Sequence, residues 1–286
     1  MTSLEDRVAA LVGARPVAWE ARAGGYTATE RFTVELDDGR RVFVKHATAD
    51  YLAEAVRTEH RFYADIAPAY APRLLAWDDS GDWPVLVLED LSDADWRVAW
   101  TPERIDAVRA LLRDVAATPP PTWAQPVRGF LGDMLFGRWE RIAADPEPFL
   151  SLGLCTREWF ERAYPMLRDA ANAAPVDGDA LLHLDVRSDN LCFRDGRAYL
   201  VDWNWACVGN PELDLAAWLP SLACEGGPQP YEVLPGAGVY AAALAGVWAL
   251  SAGLPPPETA IAEVRELQRR QLVVALDWAR RELDLD

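Results

Sequence analysis

The residues with the most chemical content form one block, His183-Leu184-Asp185-Val186-Arg187-Ser188-Asp189-Asn190, followed after a short alternating segment by Val201-Asp202-Trp203. Phosphoryl transfer needs an acceptor for the proton of an attacking hydroxyl, hard oxygen ligands for a divalent cation, and a cation on the nucleotide phosphates. Asp185 has the chemistry for the first task. Asn190, five residues later, and Asp202, a further twelve on, carry oxygen donors suited to the second. Between them, Leu191-Cys192-Phe193-Arg194 and Arg197-Ala198-Tyr199-Leu200-Val201 flank Asp195-Gly196, and Asp-Gly between alternating segments is a strong hairpin signal. A tight hairpin returns the chain to its starting point, so Asn190 and Asp202 are expected to face one cavity. In isolation Asp202 reads as a turn cap and Asn190 as a hairpin-start residue. Their joint spacing with His183 and Asp185 singles them out.

The third requirement points to Lys45. It is the only Lys among 28 basic residues, all the others being Arg, and a compact ammonium is not interchangeable with a guanidinium. Segments 17–23 and 29–36 read as strands joined by Gly24-Gly25-Tyr26-Thr27, and 40–46 follows the turn Asp37-Asp38-Gly39, which puts Lys45 near the end of a third antiparallel strand. Residues 50–66 change to helical spacing, with Leu52, Val56, Phe62 and Ile66 as the apolar stripe before Pro68. Strands at 73–77 and 84–88 complete a five-stranded antiparallel sheet with one helix after its third strand. Beyond Leu91 the pattern is mainly helical, over 101–117, 128–144, 156–171, 211–222, 236–252 and 257–283, with the one hairpin. Thr101-Pro102-Glu103 combines a capping side chain, a first-turn Pro and an early acid. The fold class is α+β, divided at 1–91 and 92–286.

The H-x-D-x-x-x-x-N block, the hairpin and the apolar-apolar-Asp that follows it resemble the catalytic and metal loops of the protein-kinase-like superfamily. Gly209-Asn210-Pro211-Glu212-Leu213-Asp214-Leu215-Ala216 is similar to the segment that marks its small-molecule branch, the aminoglycoside phosphotransferase and choline kinase-like enzymes. The resemblance runs in order along nearly the whole chain. It implies a two-lobed fold, with residues 1–91 as the nucleotide-binding lobe and 92–286 as a helical lobe carrying the catalytic loop and substrate site. It also implies that Lys45 contacts the α- and β-phosphates and pairs with Glu59, Glu54 being the alternative. Leu88-Glu89-Asp90-Leu91 matches the hinge, whose backbone at Glu89 and Leu91 would bond a purine edge, and Gly25 lies in the weakly matching Gly loop. Asp185 would be the catalytic base, Asn190 and Asp202 the Mg²⁺ ligands, and His183 and Asp214 supports of the loop. Trp205 sits where related enzymes touch substrate. Two departures are visible: Leu184 stands where the family usually has Gly, and Arg187-Ser188-Asp189 replaces a His or small residues. Both place side chains, Arg187 among them, where a substrate or phosphate would lie, which leaves the acceptor open. The implied donor is ATP or GTP with Mg²⁺.

Composition sets the outer limits. The 286 residues hold 45 acids against 28 bases, a net charge of −17, which argues against a nucleic-acid partner because phosphate recognition wants a basic face. No stretch reaches 18 consecutive apolar residues, so no membrane span is expected, and the first 13 residues lack a basic start and an apolar run. A cytoplasmic enzyme, monomeric or weakly dimeric, is the expectation. Cys155, Cys192, Cys207 and Cys224 lack C-x-x-C spacing and, with three His, suggest packed thiols rather than zinc. The part up to Leu91 carries 16 acids and 10 bases, the remainder 29 and 18. An acidic larger lobe suits a cationic acceptor such as an aminoglycoside or other amine-bearing sugar or antibiotic. An uncharged sugar, an amino alcohol or a macrolide fits the motifs equally. A nucleotide-binding pseudokinase is the alternative of another class, against which intact Lys45, Asp185, Asn190 and Asp202 argue.

Overall fold

The computed structural model describes residues 2–22, 28–256 and 263–285. The chain forms two compact units, Met1–Val98 with Ser188–Ala206, and Ala99–Arg187 with Cys207–Asp286. This division differs from a single cut at residues 91 and 92: residues 92–98 and the hairpin segment join the N-terminal unit, because backbone pairing ties them together there.

Helix α1 (Leu4–Val12) was not signalled by the sequence reading. It starts at Ser3, whose hydroxyl accepts the Asp6 N–H at 3.1 Å, and stops at Gly13 in the left-handed region. Then come β1 (Pro16–Ala21), β2 (Glu30–Leu36), β3 (Arg41–His46), α2 (Asp50–Asp65), β4 (Leu74–Asp78) and β5 (Val85–Glu89). Their antiparallel sheet has the order β1-β2-β3-β5-β4. Period-two alternation decides what each strand offers to each face. Val34, Val42, Val44, Val85 and Val87 form one core with Val8 of α1, whereas Phe43 and Lys45 point the other way and line a cavity. Gly39, at φ 83°, makes the β2–β3 turn and so sets the register. A slip by one residue would turn the Lys45 ammonium into the valine core.

Next along the chain are β6 (Asp95–Trp96), α3 (Pro102–Ala117), α4 (Val127–Leu135), α5 (Arg138–Ala144), α6 (Glu147–Leu150), α7 (Arg157–Asn172), β7 (Ala180–Leu182), β8 (Leu191–Arg194), β9 (Arg197–Leu200) and β10 (Cys207–Gly209). The last helices are α8 (Glu212–Cys224), α9 (Pro230–Val233), α10 (Gly238–Ala252) and α11 (Val264–Glu282). In the N-terminal unit β6 pairs with β8, and β8 with β9, through a turn in which Asp195 and Gly196 both have positive φ, 52° and 73°. That is the geometry an Asp-Gly hairpin favours. In the second unit the helix expected over 128–144 is two helices, because Gly137 at φ 67° breaks the run between α4 and α5. The pair β7 and β10 also escaped the sequence reading, each being three residues long. Helix α10 is rich in Ala and Gly, and α7 and α11 pack closely on it. A methyl group at Gly246 would lie 3.0 Å from Trp139 Nε1, which donates to the Ala242 carbonyl at 2.9 Å. Of the helix expected over 257–283, residues 257–262 lie outside the described residues. No described helix is long and apolar enough to cross a membrane.

Candidate active site

In the N-terminal unit the β8–β9 hairpin does what its sequence requires: the Val201 N–H donates to the Asn190 carbonyl at 3.0 Å, so the residue before the hairpin and the residue after it are neighbours. Asp202 follows in the left-handed region, φ 68° and ψ 59°, and starts a single 3₁₀ turn, Trp203–Trp205. Asp tolerates that conformation better than most side chains, and strained positions of this kind gather at functional sites. Trp203 is fully buried. Its ring stacks flat on Phe62 of α2, centroids 3.8 Å apart, and its Nε1 donates to the Leu200 carbonyl at 2.9 Å. The stack binds the residue after Asp202 to the helix that carries Glu59.

Lys45 is 5% exposed and Glu59 2%. The Lys45 Nζ donates to Glu59 Oε2 and, at 2.6 Å, to Asp202 Oδ1. Glu59 Oε1 accepts from the Tyr63 hydroxyl at 3.2 Å, one helical turn on. Glu54, the alternative partner, lies on the outer face and pairs with Arg57 at 2.6 Å. Burial opposes the Lys45 charge, but Asp202 and Glu59 more than offset it and hold the ammonium above its usual pKa. Burial also pushes the Glu59 carboxyl up, with Lys45 pulling against it. The ammonium is therefore fully charged at neutral pH.

Lys45, Glu59 and Asp202 line a cavity of about 310 Å³. Phe43 and Leu88, directly paired across β3 and β5, give it an apolar wall on the side of Glu89, Asp90 and Leu91. Lys45, Asn190 and Asp202 give it a polar wall further along β3. Arg73 Nε at 3.1 Å and Arg194 Nη1 at 3.0 Å fasten the Glu89 carboxylate; burial would raise its pKa, and these two cations together lower it. The Leu91 carbonyl accepts from Trp96 Nε1 at 2.8 Å and from the Ala94 N–H at 3.0 Å. Gly25 lies outside the described residues. Trp205 is half-buried in its 3₁₀ turn and is not among the residues that line the cavity. Asp189, of the loop segment that departs from the family pattern, lines it, as do Arg22, Arg31 and Thr33, which the sequence does not single out. Arg31 was within reach, because the Asp37-Asp38-Gly39 turn that places Lys45 also places Arg31 opposite it.

In the second unit, β7 leads directly into the His183 loop. His183 is fully buried, and its Nδ1 accepts the Asp185 N–H at 3.1 Å. Asp214, in the first turn of α8, accepts the His183 N–H at 2.8 Å on Oδ2 and the Leu184 N–H at 2.6 Å on Oδ1. Leu184 has φ 61°, a conformation that costs a Leu and is free to a Gly. The two amide bonds to Asp214 hold it there. Arg187 donates directly to the Asp185 carboxylate.

Burial raises Asp214 to about 6, against the lowering by its two amide bonds. Above that pH the carboxylate offers an acceptor to each amide. Below it, one oxygen carries a proton and loses that role, so the loop bearing Asp185 loosens as pH falls. Any turnover should therefore decline on the acid side with an apparent pKa of about 6. Asp214→Asn should flatten that limb and lower the plateau, which a pH profile of kcat checks.

Asn190, 3% exposed, and Asp202 both present oxygen, the donor type Mg²⁺ prefers. Among the described residues no group of three or more His, Cys, Asp or Glu forms a metal cluster. Two protein oxygens fit an ion that takes its remaining ligands from phosphates and water, which is how Mg²⁺ is usually held.

A buried Lys on the third strand of a five-stranded sheet, paired to a helical Glu, and a H-x-D-x-x-x-x-N loop ahead of a hairpin and Asp define an α+β, protein-kinase-like phosphotransferase. Residues 18–249 match the phosphotransferase enzyme family (APH), and the chain belongs to that family. Solved structures agree in fold. A thermostable mutant of the aminoglycoside phosphotransferase APH(4)-Ia, in ternary complex with ADP and hygromycin B, is 15% identical, with 99% of each chain covered and a TM-score of 0.60. A choline/ethanolamine kinase family protein from Mesorhizobium loti is 16% identical, with 98% of each chain covered and a TM-score of 0.54. The macrolide 2'-phosphotransferase MphH from Brachybacterium faecium is 16% identical over 88% of this chain and 97% of that one, with a TM-score of 0.52. No curated protein sequence matches the chain significantly.

Proposed function

We propose that the chain transfers the γ-phosphoryl group of ATP or GTP to a hydroxyl of a small molecule, with an aminoglycoside or another amine-bearing sugar or antibiotic as the first acceptor to test. The observation that carries this reading is the buried Lys45 ammonium shared between Glu59 and Asp202 in a cavity with one apolar and one polar wall. In this reading the base lies against Phe43 and Leu88, and its edge meets the backbone of Glu89 and the N–H of Leu91, whose carbonyl is already engaged. The phosphates reach Lys45. Glu59 keeps the ammonium in place when they draw on it. Asn190 and Asp202 hold Mg²⁺, which when bound offsets charge on the phosphate oxygens.

Asp185 accepts the proton of the acceptor hydroxyl, whose oxygen forms the new bond to the γ-phosphorus as the bond to the bridging oxygen breaks and the nucleoside diphosphate leaves with that electron pair. Arg187, paired with Asp185, aims the carboxylate, and the incoming hydroxyl shares it. Positioning and electrostatics do most of the work. The family membership, the aminoglycoside, macrolide and choline/ethanolamine kinase-type neighbours and the acidic charge balance beyond Leu91 support this acceptor class.

A thermal-shift series with Mg²⁺ and ATP or GTP, followed by nucleotide consumption over aminoglycosides, amino sugars, amino alcohols and macrolides, tests the proposal. Acceptor-stimulated consumption supports it. Nucleotide binding with no stimulation by any acceptor favours a pseudokinase module. Lys45→Ala should raise the nucleotide KM by about 10- to 100-fold, the value of a charge-assisted hydrogen bond lost from a dry site, while the acceptor KM stays the same.

A further inference from the structure

The hinge carbonyls are unequally occupied. The Asp90 carbonyl accepts Arg194 Nη2 at 3.3 Å. The Leu91 carbonyl accepts twice, from the Ala94 N–H at 3.0 Å and from Trp96 Nε1 at 2.8 Å. The first of these bonds closes a four-residue turn from Leu91 to Ala94. The second follows from strand pairing: the register of β6 on β8 sets Trp96 opposite Cys192, and its half-buried ring lines the cavity and reaches back to the hinge. A carbonyl oxygen has two lone pairs, so the acceptor capacity of Leu91 is filled. The Glu89 N–H is engaged as well, by the Arg73 carbonyl at 2.9 Å. Side chains stiffen the segment. The Asp90 carboxylate accepts the hydroxyls of Thr33, at 3.0 Å, and of Ser92, while Arg73 and Arg194 hold that of Glu89.

We propose that Trp96 sets the base specificity of this site: by filling the Leu91 carbonyl it makes the donor an adenine rather than a guanine nucleotide, which rests on the nucleotide reading given above. In that reading the base edge meets the Glu89 carbonyl and then the Leu91 N–H, an acceptor followed by a donor. Adenine presents the complement, its N6 amino group as donor and N1 as acceptor. Guanine presents the reverse, O6 as acceptor and N1–H as donor, with the N2 amino group as a second donor beside them. Placed as adenine is, guanine sets O6 against a carbonyl and N1–H against an N–H. Shifted so that O6 takes the Leu91 N–H, it needs the Leu91 carbonyl for N1–H and N2–H, and that carbonyl is already filled by Ala94 and Trp96. The engaged Glu89 N–H offers O6 nothing. Polar groups that leave water without gaining a partner cost affinity, and a site built for one order of donors and acceptors rejects the other.

The test is isothermal titration of the full chain with ADP, GDP and inosine diphosphate in Mg²⁺, for wild type and Trp96→Phe. Phe keeps an aromatic ring and removes the indole N–H, which leaves the Leu91 carbonyl one open lone pair. Wild type should bind ADP about 10- to 100-fold more tightly than GDP, as expected for a base edge with unpaired groups. Inosine diphosphate, which has O6 and N1–H but no N2 amino group, should be rejected by wild type as GDP is. Trp96→Phe should bind GDP about tenfold more tightly than wild type does, with ADP affinity unchanged. Wild-type affinity for GDP equal to or above that for ADP overturns the inference while the nucleotide reading stands. So does an ADP-to-GDP ratio that Trp96→Phe leaves unchanged, which makes Trp96 a packing residue. Inosine diphosphate binding as tightly as ADP overturns it too, because the bulk of the N2 amino group then excludes guanine. If wild type binds none of the three, the underlying nucleotide reading fails instead. Melting temperatures separate misfolding from altered recognition, and the wild-type series of three nucleotides keeps the test open should Trp96→Phe not fold.

Discussion

Asp185→Asn is expected to leave a folded chain that binds nucleotide as wild type does and transfers phosphate about 10²- to 10⁴-fold more slowly, the usual contribution of a positioned general base. Asn preserves the shape of the side chain, and the loop is held from elsewhere. The Asp185 N–H bonds to His183 Nδ1, and the preceding two amides bond to Asp214, so these three backbone bonds do not use the Asp185 carboxylate. What Asn cannot do is take a proton. It also removes the Asp185–Arg187 ion pair, so Asp185→Asn combined with Arg187→Ala should cost little beyond Asp185→Asn alone if the two groups act as a unit. Measuring kcat and the nucleotide KM separately checks this: the loss belongs in kcat.

Asp202→Asn should cost about 10²- to 10³-fold or more in turnover, and in contrast to Asp185→Asn it should change how activity depends on Mg²⁺ concentration. Asp202 serves two partners in this reading, the metal and Lys45 Nζ at 2.6 Å. Asn is a sharper probe than Ala here. The residue sits at φ 68°, a conformation Asn adopts readily and Ala does not, so Asp202→Ala mixes backbone strain with lost chemistry. Trp203 stays stacked on Phe62 in the Asn variant and keeps the segment in place. Turnover as a function of Mg²⁺ concentration in the two proteins is the relevant measurement. A similar loss at all Mg²⁺ concentrations would mean that Asp202 acts on Lys45 alone.

The sheet was legible because its valines alternate and its β2–β3 turn carries Asp38-Gly39. Those two signals place Lys45, and the Asp195-Gly196 turn likewise places Asn190 beside the start of Asp202's turn. What stayed hidden depends on pairing between distant residues. β7 and β10 are three residues each, and only their mutual hydrogen bonds make them strands. The Gly137 break inside a good apolar stripe shows as a backbone angle that periodicity does not encode. The membership of β6 in the hairpin sheet, which moves the unit boundary past residue 91, rests on two residue pairs. At the site, Glu59 was preferred to Glu54 on the family resemblance alone, and it is Glu59 that pairs with Lys45. Arg31 needed a cross-strand register to be followed one strand further. Leu184 shows the converse: the missing Gly was visible in the sequence, and the backbone there still adopts φ 61°, held by Asp214.

The central claim is that this chain moves a phosphoryl group onto a small-molecule hydroxyl with Asp185 as base. The most direct test incubates wild type and Asp185→Asn with γ-labelled ATP or GTP, Mg²⁺ and the acceptor panel, and follows the label. Label in an acceptor-derived product with wild type, and its near absence with a folded Asp185→Asn variant, is the predicted result. Equal labelling by the two proteins, or no labelled acceptor from a wild-type protein that binds nucleotide, would contradict it.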